Sequence, residues 1–197
     1  YDNNATHNLD SRGVVTGQNY LPQITQWDAY GGAIFIQGFN AKLNNNSFSH
    51  NSAIHGKNNL IEGKGGAIYI HGDNSSTLHC YFDDNFAHSG NGSAVYILGI
   101  NSTFDLCEFY NHDSSRGTVF IHGSFASVLN SIFKANTASR GGAGIYSIGN
   151  YSIVSNSTFE NNNASIHGGA IHTHGDYIKI LNSIFIRNNA HPNDYDP

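Results

Sequence analysis

Four carboxylates fall near one another in the middle of the chain: Asp83, Asp84, Asp105 and Glu108. A carboxylate pair is what polysaccharide cleavage needs, one group to protonate the leaving oxygen and one to attack or to activate water. Asp83 and Asp84 are adjacent, so on an extended strand they point to opposite sides and cannot share a site. Asp105 and Glu108 flank one corner at a spacing that is no known signature. No Ser/His/Asp order and no phosphate-cradling glycine loop accompanies them. The chain is therefore read as non-enzymatic. Twelve histidines invite a metal. No spacing among them makes a closed ligand set, so neither metal nor cofactor is expected.

The two cysteines, Cys80 and Cys107, each lie two residues before a phenylalanine, Phe82 and Phe109. Equivalent places in neighbouring coils would put them ~4.8 Å apart, within reach of a disulfide. A coil-to-coil disulfide in an oxidising compartment is the expectation, and two buried thiols the alternative. Asn-X-Ser/Thr acceptors for N-glycans occur at Asn4, Asn45, Asn74, Asn91, Asn101, Asn150, Asn156 and Asn163. Asn74, Asn101 and Asn150 fall at one recurring loop and should face solvent, whereas Asn156 sits in a strand-like stretch that would bury it.

What positions these groups is a repeat. "GGAIYIHG" from Gly65 returns as "GGAIFIQG" from Gly31, "SAVYILG" from Ser93, "GTVFIHG" from Gly117, "GGAGIYSIG" from Gly141 and "GGAIHTHG" from Gly168. Later in each unit comes a Phe followed three residues on by Asn: Phe48/Asn51, Phe82/Asn85, Phe133/Asn136, Phe159/Asn162 and Phe185/Asn188. The third unit reads as one residue short, with Asn111 two after Phe109. Apolar residues alternate with period two, so Ile68 and Ile70 face one way and Tyr69 the other. One such unit cannot bury its apolar face, but a stack of units can. The fold expected is all-β: a single-stranded right-handed parallel β-helix of about six coils over residues 31–190. Residues 1–30 are read as an N-terminal cap or strand-exchange segment, and residues 191–197 as a tail.

The "GGAI" and "FxxN" motifs, which cover about residues 31–190, resemble the repeats of chlamydial polymorphic outer-membrane proteins and related β-helical surface adhesins. The resemblance implies an extracellular or cell-surface protein that works in adhesion or assembly. The family's membrane-spanning barrel is absent from this stretch.

The outward partners of the isoleucines form a second column: Phe35, Tyr69, Tyr96, Phe120, Tyr146 and His172. It is either a stacking ladder or an apolar contact face for another chain or a sugar ring. Lys64, Arg116, Arg140 and His167 each precede the glycine that opens a coil, and a carboxylated or sulfated glycan is what such a row would take. The formal net charge of −5 argues against nucleic acid. No apolar run reaches the ~20 residues of a membrane helix. The partners expected are further copies of the chain, joined head to tail in a filament, or neighbouring domains of a longer chain, and glycans. The alternative is a carbohydrate-binding module or a pectate-lyase-like, polysaccharide-active β-helix.

Overall fold

Alternating apolar residues interrupted every few positions by Gly, Asn or Asp dictate short strands separated by sharp corners. The computed structural model describes residues 4–7, 29–55, 63–88 and 90–191. Every described strand pairing is parallel, and the strands stack into a β-solenoid. The coil from Gly63 shows the plan. Gly63–Lys64 leads into a strand Ile68–Ile70, then Ser76–Leu78, Tyr81–Asp83 and Phe86–Ala87. These four strands define four sheets, called first to fourth below. The first three sheets are six strands deep and the fourth is seven.

The corners are residues in the left-handed region, reached at Asn74, His79 and Asp84 in this coil. The paired glycines have two separate jobs. Gly65 turns the chain at φ +67°, and Gly66 lies so close to the next coil that a Cβ would sit 2.0 Å from the Ser93 carbonyl oxygen.

Inside, the isoleucines and phenylalanines stack coil upon coil. Ile68, Ile70, Ile97, Phe82, Phe109 and Phe133 are fully buried. Ring centroids in the Phe column are 4.6–5.1 Å apart from Phe48 to Phe185. Beside them runs a buried polar column, Asn51, Asn85, His112, Asn136, Asn162 and Asn188. Each Asn Nδ2 from Asn85 onward donates to the carbonyl of the preceding coil's Phe, as Asn162 does to Phe133 at 3.0 Å. Each Oδ1 from Asn85 onward accepts from the backbone of the coil before it, as Asn162 does from the Asn136 N–H. This is how the buried amides are satisfied without water. The third unit is not short: His112, three after Phe109, fills the Asn column, and Asn111 is the left-handed corner residue.

At the N-terminal end, Asn4–His7 pairs in parallel with Ser52–His55 and edges the fourth sheet. Ala29–Tyr30 pairs with Gly63–Lys64. The array thus begins inside the segment read as a cap. The rest of that segment, Trp27 included, and residues 192–197 of the tail lie outside the described residues. On the first coil Ile36 and Phe48 are buried. On the last, Ile180, Leu181, Ile184, Phe185 and Ile186 are exposed beside unpaired strand edges. No helix long and apolar enough to cross a membrane occurs among the described residues.

Candidate functional site

The aromatic column expected to be an open contact face does turn away from the isoleucine core, but it is covered. Tyr69, Tyr96, Phe120 and Tyr146 are only 5–8 % exposed and form a second apolar cluster. Tyr69, Tyr96 and Phe120 are each stacked between ring neighbours at 4.9–5.3 Å, Tyr146 is stacked on Phe120 on one side, and Tyr30, Leu98 and Ile148 pack against the cluster. Only the two ends, Phe35 and His172, are partly exposed. The column is a stabilising ladder and not the exposed face expected.

A stacked row of exposed aromatics lies elsewhere, at the left-handed corner between the first and second sheets. Three coils place Asn40, Asn74 and Asn101 there, and the next three place Phe125, Tyr151 and Tyr177, all at φ near +60°. The three rings are 53 %, 47 % and 71 % exposed. They stack at 5.1 and 4.8 Å with planes within 6°. Phe39 and Ile100, one residue before this corner in their coils, are exposed as well. Ser124, Asn150 and Asp176, immediately before the rings, are in part or wholly exposed and link the coils: Asn150 Oδ1 accepts from the Asp176 N–H at 2.8 Å. Asparagine tolerates a left-handed backbone because its short side chain bonds locally; a bulky aromatic does so at a cost of about 1 kcal/mol. The sequence signal is the switch from Gly-X-Asn to Gly-X-aromatic after the first strand.

The carboxylates do not converge. Asp83 accepts from Asn111 Nδ2 at 2.9 Å, Asp105 from Asn130 Nδ2 at 2.7 Å, and Glu108 from the Tyr110 hydroxyl at 2.8 Å. Asp84 faces His50 at 3.5 Å. Each is a rung in its own outer column. Burial and the Glu108 carboxylate push the Tyr110 hydroxyl up to about 12. Among the described residues no three His, Cys, Asp or Glu side chains are placed to hold a metal ion.

Cys80 and Cys107 occupy the same rung of adjacent coils, as expected, but both are free, buried thiols, so the expected disulfide is not formed. The rung offers each thiol hydrogen-bond partners instead. In other coils the rung is serine, whose hydroxyl donates to the carbonyl two residues back, at 2.6 Å for Ser131 and 2.9 Å for Ser157. The thiols do the same, Cys80 to Leu78 and Cys107 to Asp105. Cys107 Sγ also reaches the Thr77 carbonyl of the preceding coil at 3.5 Å, and the two thiols are in hydrogen-bond contact with each other. The adjacent Cys80 sulfur and burial push the Cys107 thiol up.

Of the glycan acceptors, Asn45, Asn74, Asn101, Asn150, Asn156 and Asn163 are exposed. Asn156 corrects the expectation of burial: it is a left-handed corner, φ 52°, and corners point outward. Asn91 is buried, bridges Lys64 and Arg116 by backbone pairing and accepts from the Arg116 guanidinium, so it is unsuited to carry a glycan. Asn4 lies in the edge strand of the fourth sheet. The basic row is not continuous either. Lys64 lies over the Tyr30 ring, and Arg140 lines a polar cleft on the fourth sheet with Phe86, Asp113 and Ser115.

Residues 47–71 and 156–174 match the Chlamydia polymorphic membrane protein repeat. Both stretches contain a Phe–Asn pair, Phe48/Asn51 and Phe159/Asn162, and run on to the next "GGAI". The chain thus carries repeats of this kind on a β-solenoid. No curated protein and no solved structure matches it.

Proposed function

We propose that this β-helix is a cell-surface protein of the adhesin type, which acts by contact and not by catalysis, and that the contact is made by the ridge Phe125–Tyr151–Tyr177. The repeats matched to the Chlamydia polymorphic membrane proteins and the solenoid fold support a surface, adhesin-type protein. The single observation that carries the assignment of the ridge is three bulky aromatics, in adjacent coils, held exposed in a backbone conformation that asparagine fills in the other coils. Residues that lower local stability without being buried are retained for something outside the fold.

Replacing Phe125, Tyr151 and Tyr177 together by Asn is expected to leave the fold intact. Losing ring stacking costs about 0.5–1.5 kcal/mol per pair, and relieving the left-handed backbone returns about 1 kcal/mol per residue. Attachment of the purified protein to its target surface should fall at least about tenfold, a loss of about 1.4 kcal/mol. Unchanged attachment by a folded triple variant would refute the assignment.

A second reading, a carbohydrate-binding surface on the same ridge, is favoured by the hydroxyl, amide and carboxylate of Ser124, Asn150 and Asp176 beside the rings, since sugar sites pair aromatic rings with directed polar groups. Soluble saccharides that compete for attachment would select it over a protein target.

The finer architecture is part of the same proposal. The exposed apolar end of the last coil, Ile180, Ile184 and Phe185, takes up the next unit, either another copy head to tail in a filament or a neighbouring domain. Ile36 and Phe48 of the first coil are buried, so a head-to-tail contact has to rearrange that end. N-glycans occupy exposed corners such as Asn45, Asn74 and Asn156. Negative-stain microscopy and mass spectrometry of the natively purified protein test both. Isolated, unmodified monomers would refute the filament and the glycans together.

A further inference from the structure

Three side chains that carry or can take up positive charge converge on the last ring of the covered aromatic column, and a fourth, His167, joins them through His172. The Arg116 guanidinium carbon lies 5.8 Å from the centre of the Tyr146 ring. His172 stands edge-on to the same ring at 4.8 Å, and His174 lies 5.7 Å from it. His167 is 5.1 Å from His172, and His172 is 4.5 Å from His174. They arrive from separate places: Arg116 ends the strand Asp113–Arg116, His167 bridges Gly141 of the coil before it, and His172 and His174 flank Thr173 at the end of Ile171–Thr173.

Among the described residues none of the four is paired with a carboxylate. Arg116 donates to the neutral Asn91 Oδ1 at 3.4 Å. Burial, and then His174, His167 and Arg116, push the His172 imidazole below its ordinary range, and the charged groups acting on it are all of one sign. Its Nδ1 is buried without a hydrogen-bond partner, against Gly141, where a Cβ would sit 2.5 Å from that nitrogen. Arg140, from the same row, lines the cleft on the fourth sheet instead.

A protein of net charge −5 has no reason of folding to gather like charges in one place. Positive charge on its neighbours raises the cost of protonating His172. A ligand that brings negative charge reverses that sign, and the guanidinium fork fits the paired oxygens of a carboxylate or sulfate. We propose that Arg116, His167, His172 and His174 form an anion site for a carboxylate or sulfate group, borne on an acidic saccharide or taken as the free ion. An anion beside His172 offsets the positive groups that hold its imidazole low and favours its protonated form, so affinity rises as pH falls. The site is distinct from the aromatic ridge, and its failure or success leaves the adhesive reading of the ridge untouched.

The test is a titration of the whole chain with sodium sulfate and, separately, with a sulfated oligosaccharide, at ionic strength held constant with chloride, followed by the imidazole proton NMR signals at about pH 6 and about pH 8. The expected result is a saturable shift of His167, His172 and His174 at the lower pH and at least about tenfold weaker binding at the higher. Arg116→Gln and His174→Gln should each weaken binding about tenfold with an unchanged melting temperature. His174 is exposed, so that variant decides the matter if Arg116→Gln does not fold. Tighter binding of the oligosaccharide assigns the saccharide, and equal binding assigns the free ion; both uphold the site. It is overturned if exposed His50 and His79 shift in parallel with the cluster, if chloride alone gives the same shifts, or if binding needs added zinc and is lost to chelator.

Discussion

His112 is the one imidazole in a column of asparagines, and replacing it by Asn should change how the fold responds to acid. The ring is fully buried. Its Nδ1 is 3.0 Å from Asn136 Oδ1, and its Nε2 is 3.2 Å from Asn85 Nδ2. An amide NH2 can only donate, so Nε2 must accept and Nδ1 must carry the proton. Protonating Nε2 would set a donor against a donor in a site without water. Burial accordingly pushes the pKa from 6.5 to about 4. The folded value is depressed, so the unfolded chain binds the proton more tightly. The stability His112 contributes is therefore complete above pH 6.5 and is lost as pH falls from there toward 4. Linkage puts the loss at about 1 kcal/mol at pH 5.5 and about 3 kcal/mol at pH 4.5. His112→Asn restores the column's own hydrogen bonds and has no proton to take up. Urea unfolding of the two proteins at a series of pH values isolates this group, because every other titrating residue is common to both. At pH 7.5 the two should lie within about 1 kcal/mol of each other, the variant losing some ring packing. At pH 4.5 the variant should have gained about 3 kcal/mol on the parent. A stability difference that stays flat across this range would refute both the tautomer and the depressed pKa.

Other consequences are quickly checked. Gly66→Ala should abolish folding, since its Cβ would meet the Ser93 carbonyl, while Gly38→Ala, with nothing within 4 Å, should leave the melting temperature unchanged. The double change Cys80→Ser and Cys107→Ser should shift stability by no more than about 1 kcal/mol, because serine already fills that rung in other coils; a thiol reagent should label the parent only after unfolding. In a host that attaches N-glycans, site mapping should find Asn156 modified and Asn91 bare, and a glycan on Asn91 would contradict its burial.

The fold was legible because its repeat is written twice per coil, once as Gly-Gly-Ala-Ile and once as Phe-x-x-Asn, and both columns proved continuous. Two departures were legible too, and were misread. His112 stands where Asn stands in its neighbours, three after Phe109, but the adjacent Asn111 drew the register off by one. "NNATH" at the N-terminus has the same Asn-Ala pair as "NNA" at residues 188–190, and it does pair into the fourth sheet. The exposure of the aromatic column was not legible. Period two says that Tyr69 points away from Ile68, but not that Tyr30, Leu98 and Ile148 close over that side. The thiols show the same limit: spacing places two sulfurs on one rung, but it does not say that they are held as free thiols by corner carbonyls and by each other.

Two kinds of exception to the repeat therefore carry different information. At His112 the rule is broken inside the core, and the surroundings compensate it: Asn85, Asn136 and the packed Phe109 ring accept the imidazole at neutral pH. Such a site bears on stability and its pH range. At Phe125, Tyr151 and Tyr177 the rule is broken at the surface, and mutual stacking at 4.8–5.1 Å only offsets what the left-handed backbone costs. Three consecutive coils make the same change, at one corner, in register. A solenoid repeats each coil-level choice along its axis, so a change confined to one corner of three neighbouring coils draws a line on the outside of the rod. That line is a surface another molecule can follow, while the corners of the earlier coils keep the asparagines that the backbone alone would choose.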